Sequence, residues 1–202
     1  KSKLLWICGF NLILMGFQAW FGSIVVATNL VPWTITVHLF LALLIIAIQI
    51  YVIILAAGDN RLFQRYELSK PMLLMLWGIF AITFYQMFLG TQVRESIDVL
   101  IKNDVGQDAW TEGVGLPFYI HRSFSWLVLV MLLVVFWINE KQKSFTGIRV
   151  AFIVLALELL SGVLLAHFNM PDLVRTAHLL FASILFGVLF WFLLQGRILQ
   201  KR

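Results

Sequence analysis

Charged residues are scarce in this chain of 202 amino acids. Lys and Arg number 15, and Asp and Glu number 10, which makes 12% of the chain charged. A soluble domain has roughly twice that fraction. The charges also cluster, and they leave apolar runs of the roughly 20 residues that a bilayer-spanning helix needs. These patterns exclude a soluble enzyme, a nucleic-acid binder and a disordered protein. The single cysteine, Cys8, excludes an internal disulfide and a cysteine-rich metal site.

Proline is also scarce, and its position is informative. All four prolines lie at or just before the start of a hydrophobic segment, where the fixed φ favours a helix and the missing N–H costs nothing. We predict an all-α polytopic membrane protein with six transmembrane helices in antiparallel hairpins. Its spans are approximately residues 4–28, 33–57, 71–92, 117–139, 148–166 and 171–195.

The distribution of positive charge predicts the orientation. Six spans put both termini on one side, and eleven of the fifteen Lys and Arg residues lie on that side. Because positive charge marks the cytoplasmic side, we predict an integral membrane protein with both termini in the cytoplasm, or on the matrix side in a mitochondrion; the compact loops favour a bacterial plasma membrane. The acidic segment 93–116 lies on the opposite side and is too long for a plain turn. Long loops of this kind are commonly covers or docking surfaces, and the role of this one stays open.

The hairpins repeat. With a shift of 140 residues, Gly22 aligns with Gly162 and His38 with His178, and so do Asn29 with Asn169, Thr36 with Thr176, Leu39 with Leu179 and Ala42 with Ala182. A third copy contains Gln86, Gly90 and His121. Each unit therefore has Gln or Glu and then Gly on one helix, and a histidine on the next; the first residue of the motif is Gln18, Gln86 or Glu158. For Glu158 we consider both a hydrogen-bonding role and a proton relay.

Three histidines at equivalent depth indicate a function, because an unpartnered histidine inside a bilayer costs on the order of 2 kcal/mol. Interhelical hydrogen bonding is the alternative. In a four-helix bundle formed by residues 71–202, His121 and His178 lie on diagonal helices and could bind haem iron from both sides. We expect the glycines to leave room for the flat macrocycle, and Arg122 and Arg175 to bind its propionates.

His38 has no diagonal partner in this chain, which also begins without Met. We therefore expect at least one further hairpin before residue 1. This gives three parts: 1–57 is the second hairpin of an N-terminal bundle, 58–70 is an inner linker, and 71–202 is a complete C-terminal four-helix bundle.

The chain resembles the haem A synthase family of cytochrome oxidase assembly proteins over nearly its whole length. The similar pieces are Gln18-x-x-x-Gly22 through His38-Leu39, Gln86-x-x-x-Gly90-x-x-Val93-Arg94, Ile120-His121-Arg122, and Pro171 through Ala177-His178. Family members have eight spans in two similar halves. The resemblance implies a haem b cofactor at His121 and His178, with Arg122 beside it, and a substrate haem O site at His38. These three histidines are the candidate iron ligands.

The resemblance also implies the reaction, which converts the C8 methyl group of haem O to the formyl group of haem A; it leaves the oxygen source open. Implied partners are haem O synthase and an electron-transfer protein, besides the lipid bilayer; nucleic acid is not expected, and homo-oligomerisation stays open. The family has a glutamate about one turn before its first histidine. No glutamate lies three or four residues before a histidine here, so we expect this chain to be catalytically incomplete and its catalytic residue to be unknown.

Two functions and one purely structural alternative remain. The first is a haem A synthase-like membrane oxidoreductase. The second is a non-enzymatic b-type cytochrome that uses the same histidine pair for electron transfer or haem handling. The third is a haem-free structural bundle, in which all three histidines would tolerate Gln or Asn.

Overall fold

The described part of the chain consists mainly of long helices. The computed structural model describes residues 2–57, 69–142, 146–168 and 170–199, and only the backbone of residues 142, 146 and 196–199. The described helices are α1 (Ser2–Ala27), α2 (Pro32–Ala57), α3 (Lys70–Lys102), α4 (Trp110–Val114), α5 (Leu116–Gln142), α6 (Thr146–His167) and α7 (Asp172–Leu199). Within these ranges there is no strand.

Every helix except α4 is long and apolar enough to cross a membrane, which gives six candidate spans. This confirms the all-α membrane fold that the sequence predicts. The prolines lie as predicted: Pro32 begins α2, Pro71 and Pro117 are the second residues of α3 and α5, and Pro171 directly precedes α7. Because a proline in the first helical turn loses no hydrogen bond, each one sets a helix start at no energetic cost.

The connection between α1 and α2 is a tight left-handed turn. Asn29 and Leu30 have φ values of 56° and 59°, and the Leu30 N–H donates to the Val25 carbonyl at 3.0 Å. Asparagine tolerates this conformation better than most residues, which accounts for its position after a helix end. The matching residue of the repeat, Asn169, lies outside the described residues.

The main difference from the sequence prediction concerns residues 93–116. Helix α3 does not end at residue 92 but continues for ten more residues to Lys102. Val93, Ile97 and Leu100 form an apolar stripe on this extension because they are spaced one helical turn apart. A 3-10 helix (Gln107–Ala109) and α4 follow.

These elements form a small cap with an apolar core of its own. Ile97, Trp110 and Val114 are buried together with Met170 from the connection between α6 and α7. The Trp110 indole N–H donates to the Val105 carbonyl at 3.0 Å, so the buried ring has its hydrogen-bond partner. The chain then turns into α5 at Gly115, whose φ of 67° suits glycine. We call residues 97–115 the cap segment.

The chain divides into two compact units. The first contains residues 1–67 and 190–202, and in it α1 packs against α2 around buried Phe21, Val25 and Leu43. The second contains residues 68–189. In that unit α5 packs against α3 and α6, and the fully buried residues include Leu76, Ile79, Leu132, Val135 and Ile148. The predicted three-part division stays a prediction, and most of its linker, residues 58–68, lies outside the described residues.

Candidate haem-binding site

Each histidine of the repeat lies one to two turns inside its helix. His38 is the seventh residue of α2, His121 the sixth of α5 and His178 the seventh of α7. At 1.5 Å per residue, all three lie about 8–9 Å from the helix start. The repeat therefore places the three histidines at matching positions within their helices.

In the first two hairpins the glutamine of the repeated motif holds the backbone of the histidine. The Gln18 side-chain amide donates to the His38 carbonyl at 2.9 Å, and the Gln86 amide donates to the His121 carbonyl at 2.9 Å. Gln86 also donates to the Ser125 hydroxyl at 3.2 Å. In both hairpins this leaves Nδ1 of the histidine buried and without a partner among the described residues. The glutamine thus fixes where the histidine lies and leaves its imidazole free.

The third hairpin holds its histidine differently. Nδ1 of His178 lies 2.9 Å from the Ser161 hydroxyl and 3.2 Å from the Glu158 carbonyl oxygen. The carboxylate oxygen Oε1 of Glu158 is 3.3 Å away. Three oxygens therefore surround this one ring nitrogen, whereas the rings of His38 and His121 have no such contact at Nδ1.

The glycines explain how the rings fit between helices. A Cβ atom placed on Gly22, Gly90 or Gly162 would lie 3.1, 3.6 or 3.4 Å from Cε1 of His38, His121 or His178 respectively. In each hairpin the histidine ring therefore lies directly on the glycine of the facing helix. The imidazole ring occupies the space beside each glycine, and the expectation that these glycines make room for a macrocycle stays a prediction.

The structure brings His121 and His178 together in the second unit. Their ring centres are 6.4 Å apart and their planes are inclined by 77°. Two imidazoles on opposite sides of one metal ion have ring centres about 6 Å apart, because each nitrogen lies about 2 Å from the metal and about 1 Å from its ring centre. The observed spacing fits a shared iron ion. Ring centres this far apart also exclude a direct hydrogen bond between the two rings, because their nitrogens are too far from each other.

His38 belongs to the first unit and has an aromatic neighbour. Its ring stacks on Phe21, with ring centres 6.3 Å apart and planes inclined by 19°. The side chain is half-buried. Within the described part of this unit His38 is the sole histidine, so the structure leaves its second ligand unassigned.

The arginines near these histidines are exposed. The Arg122 guanidinium lies over the rings of Phe118 and Tyr119, 5.8 and 5.4 Å from their centres. Arg175 pairs with Asp172 one turn earlier on the same helix. Arg122 directly follows His121 and makes no ion pair with any residue that the structure describes. Its charge is therefore available to an anionic group at this end of the helices, which suits the predicted propionate role.

The sequence analysis missed two hydroxyl groups. Ser125 donates to the His121 carbonyl at 2.9 Å, and Ser161 donates to the Glu158 carbonyl at 2.7 Å while it contacts the His178 ring. Ser161 could have been found from the repeat. Three residues after the motif's Gln or Glu, the first two hairpins have Phe21 and Leu89, and only the third has a polar residue.

Comparison with known proteins adds the decisive observation. The sequence profile of the COX15-CtaA family, described as cytochrome oxidase assembly protein, matches residues 1–190. The chain belongs to this family. The matched residues include all three hairpins of the repeat and their histidines, so the resemblance inferred from the motifs is confirmed.

Individual relatives in the family are distant but extensive. The heme A synthase of Staphylococcus epidermidis is 22% identical over 211 residues, which cover 91% of this chain and 66% of that protein. The heme A synthase of Bacillus mycoides is 21% identical over 210 residues, 97% of this chain and 66% of that protein. The heme A synthase of Bacillus pumilus is 22% identical over 200 residues, 91% of this chain and 64% of that protein. This family member thus spans about two-thirds of the length of these curated relatives.

Proposed function

We propose that this chain provides the haem-binding core of a haem A synthase, a membrane oxidoreductase that converts haem O to haem A during cytochrome oxidase assembly. One observation carries the proposal. In a chain of this family, the ring centres of His121 and His178 are 6.4 Å apart, a spacing at which both imidazoles would hold one iron ion. The names of the relatives support the reaction.

The two histidine sites have different roles in this proposal. His121 and His178 would hold haem b, the resident cofactor, which supplies one-electron redox chemistry when it is bound. His38 would bind the substrate haem O, with Gln18 fixing its backbone and Phe21 packing on its ring. Arg122 would bind a propionate of haem b through a charge-assisted hydrogen bond. Both termini would lie in the cytoplasm, in a bacterial plasma membrane, with an electron-transfer protein and haem O synthase as partners.

The remaining residues of the site position these groups and exclude water. Gln86 and Ser125 hold the His121 backbone through hydrogen bonds of 2.9 Å each. The cap segment packs its own apolar core at the end of the helices that carries the histidines. A covered, apolar surrounding strengthens every charge interaction inside it and keeps reactive intermediates from water.

The test is haem extraction from the chain expressed in a bacterial host that makes haem O but lacks its own haem A synthase. We expect the purified chain to contain both haem b and haem O. His38→Ala should lose haem O and retain haem b, whereas His121→Ala and His178→Ala should each lose haem b. Haem O that stays equally bound in His38→Ala would contradict the substrate site. Haem b without any haem O in the unmodified chain would favour an electron carrier instead.

A further inference from the structure

The His178 ring has a set of hydrogen-bond partners that its counterparts lack. Its Nδ1 lies 2.9 Å from the Ser161 hydroxyl oxygen. That hydroxyl donates its own hydrogen to the Glu158 carbonyl at 2.7 Å, so towards the ring it offers a lone pair. The proton of the contact must then come from Nδ1 of His178.

The backbone oxygen near Nδ1 favours the same assignment. The Glu158 carbonyl, at 3.2 Å, can only accept a hydrogen bond. Oxygen Oε1 of the Glu158 side chain lies 3.3 Å away and also accepts from Nδ1 when the carboxyl group is ionised. A neutral imidazole has one N–H and one lone pair, and the hydrogen bond at one nitrogen decides which nitrogen carries the lone pair. With the proton on Nδ1, the lone pair is on Nε2.

Both residues of this arrangement are inside the protein. Ser161 is 4% exposed, and the Glu158 side chain is 15% exposed. The protein's own oxygens are therefore the nearest hydrogen-bond partners of Nδ1, and they favour one tautomer of the ring.

The internal repeat supplies a built-in comparison. His121 has an equivalent glycine contact, with Gly90, but Gln86 and Leu89 stand where His178 has Glu158 and Ser161. Nδ1 of His121 is buried without a hydrogen-bond partner among the described residues. The two imidazoles therefore differ in the surroundings of Nδ1.

We propose that Ser161 and Glu158 are positioning residues that hold the proton of His178 on Nδ1, which makes Nε2 the metal-binding nitrogen and His178 the stronger donor of the pair. The effect on metal binding rests on the proposed haem b site, whereas the tautomer of His178 does not. A metal-bound histidine whose other N–H donates to an oxygen is more basic and better oriented. Stronger donation stabilises ferric over ferrous haem and lowers the reduction potential.

The first experiment measures the tautomer in the haem-free protein. Full-length chain labelled with ¹⁵N-histidine is examined by NMR, and the His178 signals are assigned by their loss in His178→Gln. We expect the Nδ1–H tautomer in the unmodified chain. Ser161→Ala should shift the tautomer ratio by about fivefold towards Nε2–H, the effect of one hydrogen bond of ordinary strength. An Nε2–H tautomer in the unmodified chain, or an unchanged ratio in Ser161→Ala, overturns the inference.

The second experiment measures the haem-loaded protein. Ser161→Ala should raise the midpoint potential and weaken haem binding by about tenfold, as loss of a hydrogen bond to a metal-bound histidine does. Ser161→Thr, which keeps the hydroxyl, should restore both values. Glu158→Gln combined with Ser161→Leu should produce the largest rise, because it gives His178 the residue types that stand beside His121, where Gln86 and Leu89 lie.

The matched control is Ser123→Ala. Ser123 is an exposed residue two positions from His121, and its hydroxyl donates only to the Tyr119 carbonyl of its own helix. It should leave the potential and the haem affinity unchanged. If Ser161→Ala and Ser123→Ala give the same potential, the positioning role is refuted while the haem site stands. If the unmodified chain binds no haem, the proposed function fails, and the NMR result still decides the tautomer.

Discussion

Substitution of the three motif glycines provides a graded test of how the histidine rings are held. Gly16, which lies outside the motif, is the reference position. Alanine at Gly16 should stabilise α1 by about 1 kcal/mol, because glycine is a poor helix former and a Cβ there meets no atom within 4 Å. At Gly162 and Gly90 the added carbon would lie 3.4 and 3.6 Å from the histidine ring, an ordinary contact. We therefore expect Gly162→Ala and Gly90→Ala to be tolerated with their haem intact.

Gly22 is tighter. A Cβ there would lie 3.1 Å from Cε1 of His38, so the ring must move by a few tenths of an ångström. Overpacking of this kind costs roughly 1–3 kcal/mol, enough to cancel the gain in helix propensity. Gly22→Ala should therefore be no more stable than the unmodified chain, in contrast to Gly16→Ala.

Substitution by valine should have opposite effects on haem content at Gly162 and at Gly16. Its γ carbons extend about 1.5 Å beyond Cβ, which leaves no space for an imidazole that already contacts Cβ. Gly162→Val should displace His178 and lose haem b, whereas Gly16→Val should keep it. The assay is haem content per protein by pyridine haemochrome, together with the unfolding temperature in detergent. Equal haem b in Gly162→Val and Gly16→Val would refute the account of ring placement.

Three shorter predictions concern the surroundings of the site. Gln86→Leu removes the hydrogen bond to the His121 carbonyl and should lower the free energy of unfolding by about 1 kcal/mol, measured by thermal unfolding in detergent; an unchanged unfolding temperature would contradict it. Trp110→Ala should cost about 3–5 kcal/mol of cap stability and expose the cap segment to limited proteolysis, and cleavage equal to that of the unmodified chain would refute the cap's dependence on this ring. Arg122→Gln should weaken haem b binding by on the order of tenfold without moving the absorption maxima, as loss of one charge-assisted hydrogen bond implies; Arg149→Gln, whose guanidinium pairs with Glu140 instead, is the control and should bind haem normally.

The sequence predicted most of the fold because the membrane leaves few choices. Six long apolar segments, four of them with a proline at or just before the start, define the six long helices, and the backbone must satisfy its hydrogen bonds within each helix. The extension of α3 beyond residue 92 was not predictable in the same way. Half of residues 93–102 are polar or charged. Their helix is stabilised by the packing of Ile97 with Trp110 and Val114, a contact between segments that local sequence does not reveal.

The site was predicted in part for a similar reason. The repeat showed which histidines are equivalent, and each of these histidines lies at a matching position in its own helix. The contact of each ring with its glycine could not be read from spacing, because it depends on how closely two helices approach. The partners of His178 Nδ1 were likewise hidden, since Ser161 reaches the ring only through the packing of α6 against α7.

The most direct test of the central claim is the reduced-minus-oxidised visible spectrum of the purified chain after haem-replete expression. The comparison uses the unmodified chain, His121→Ala, His178→Ala and His167→Ala, whose exposed ring at the end of α6 serves as the control. We predict a low-spin b-type spectrum that either of the first two substitutions abolishes and that His167→Ala leaves intact. Absence of haem from the unmodified chain, or a spectrum that survives both His121→Ala and His178→Ala, would contradict the assignment.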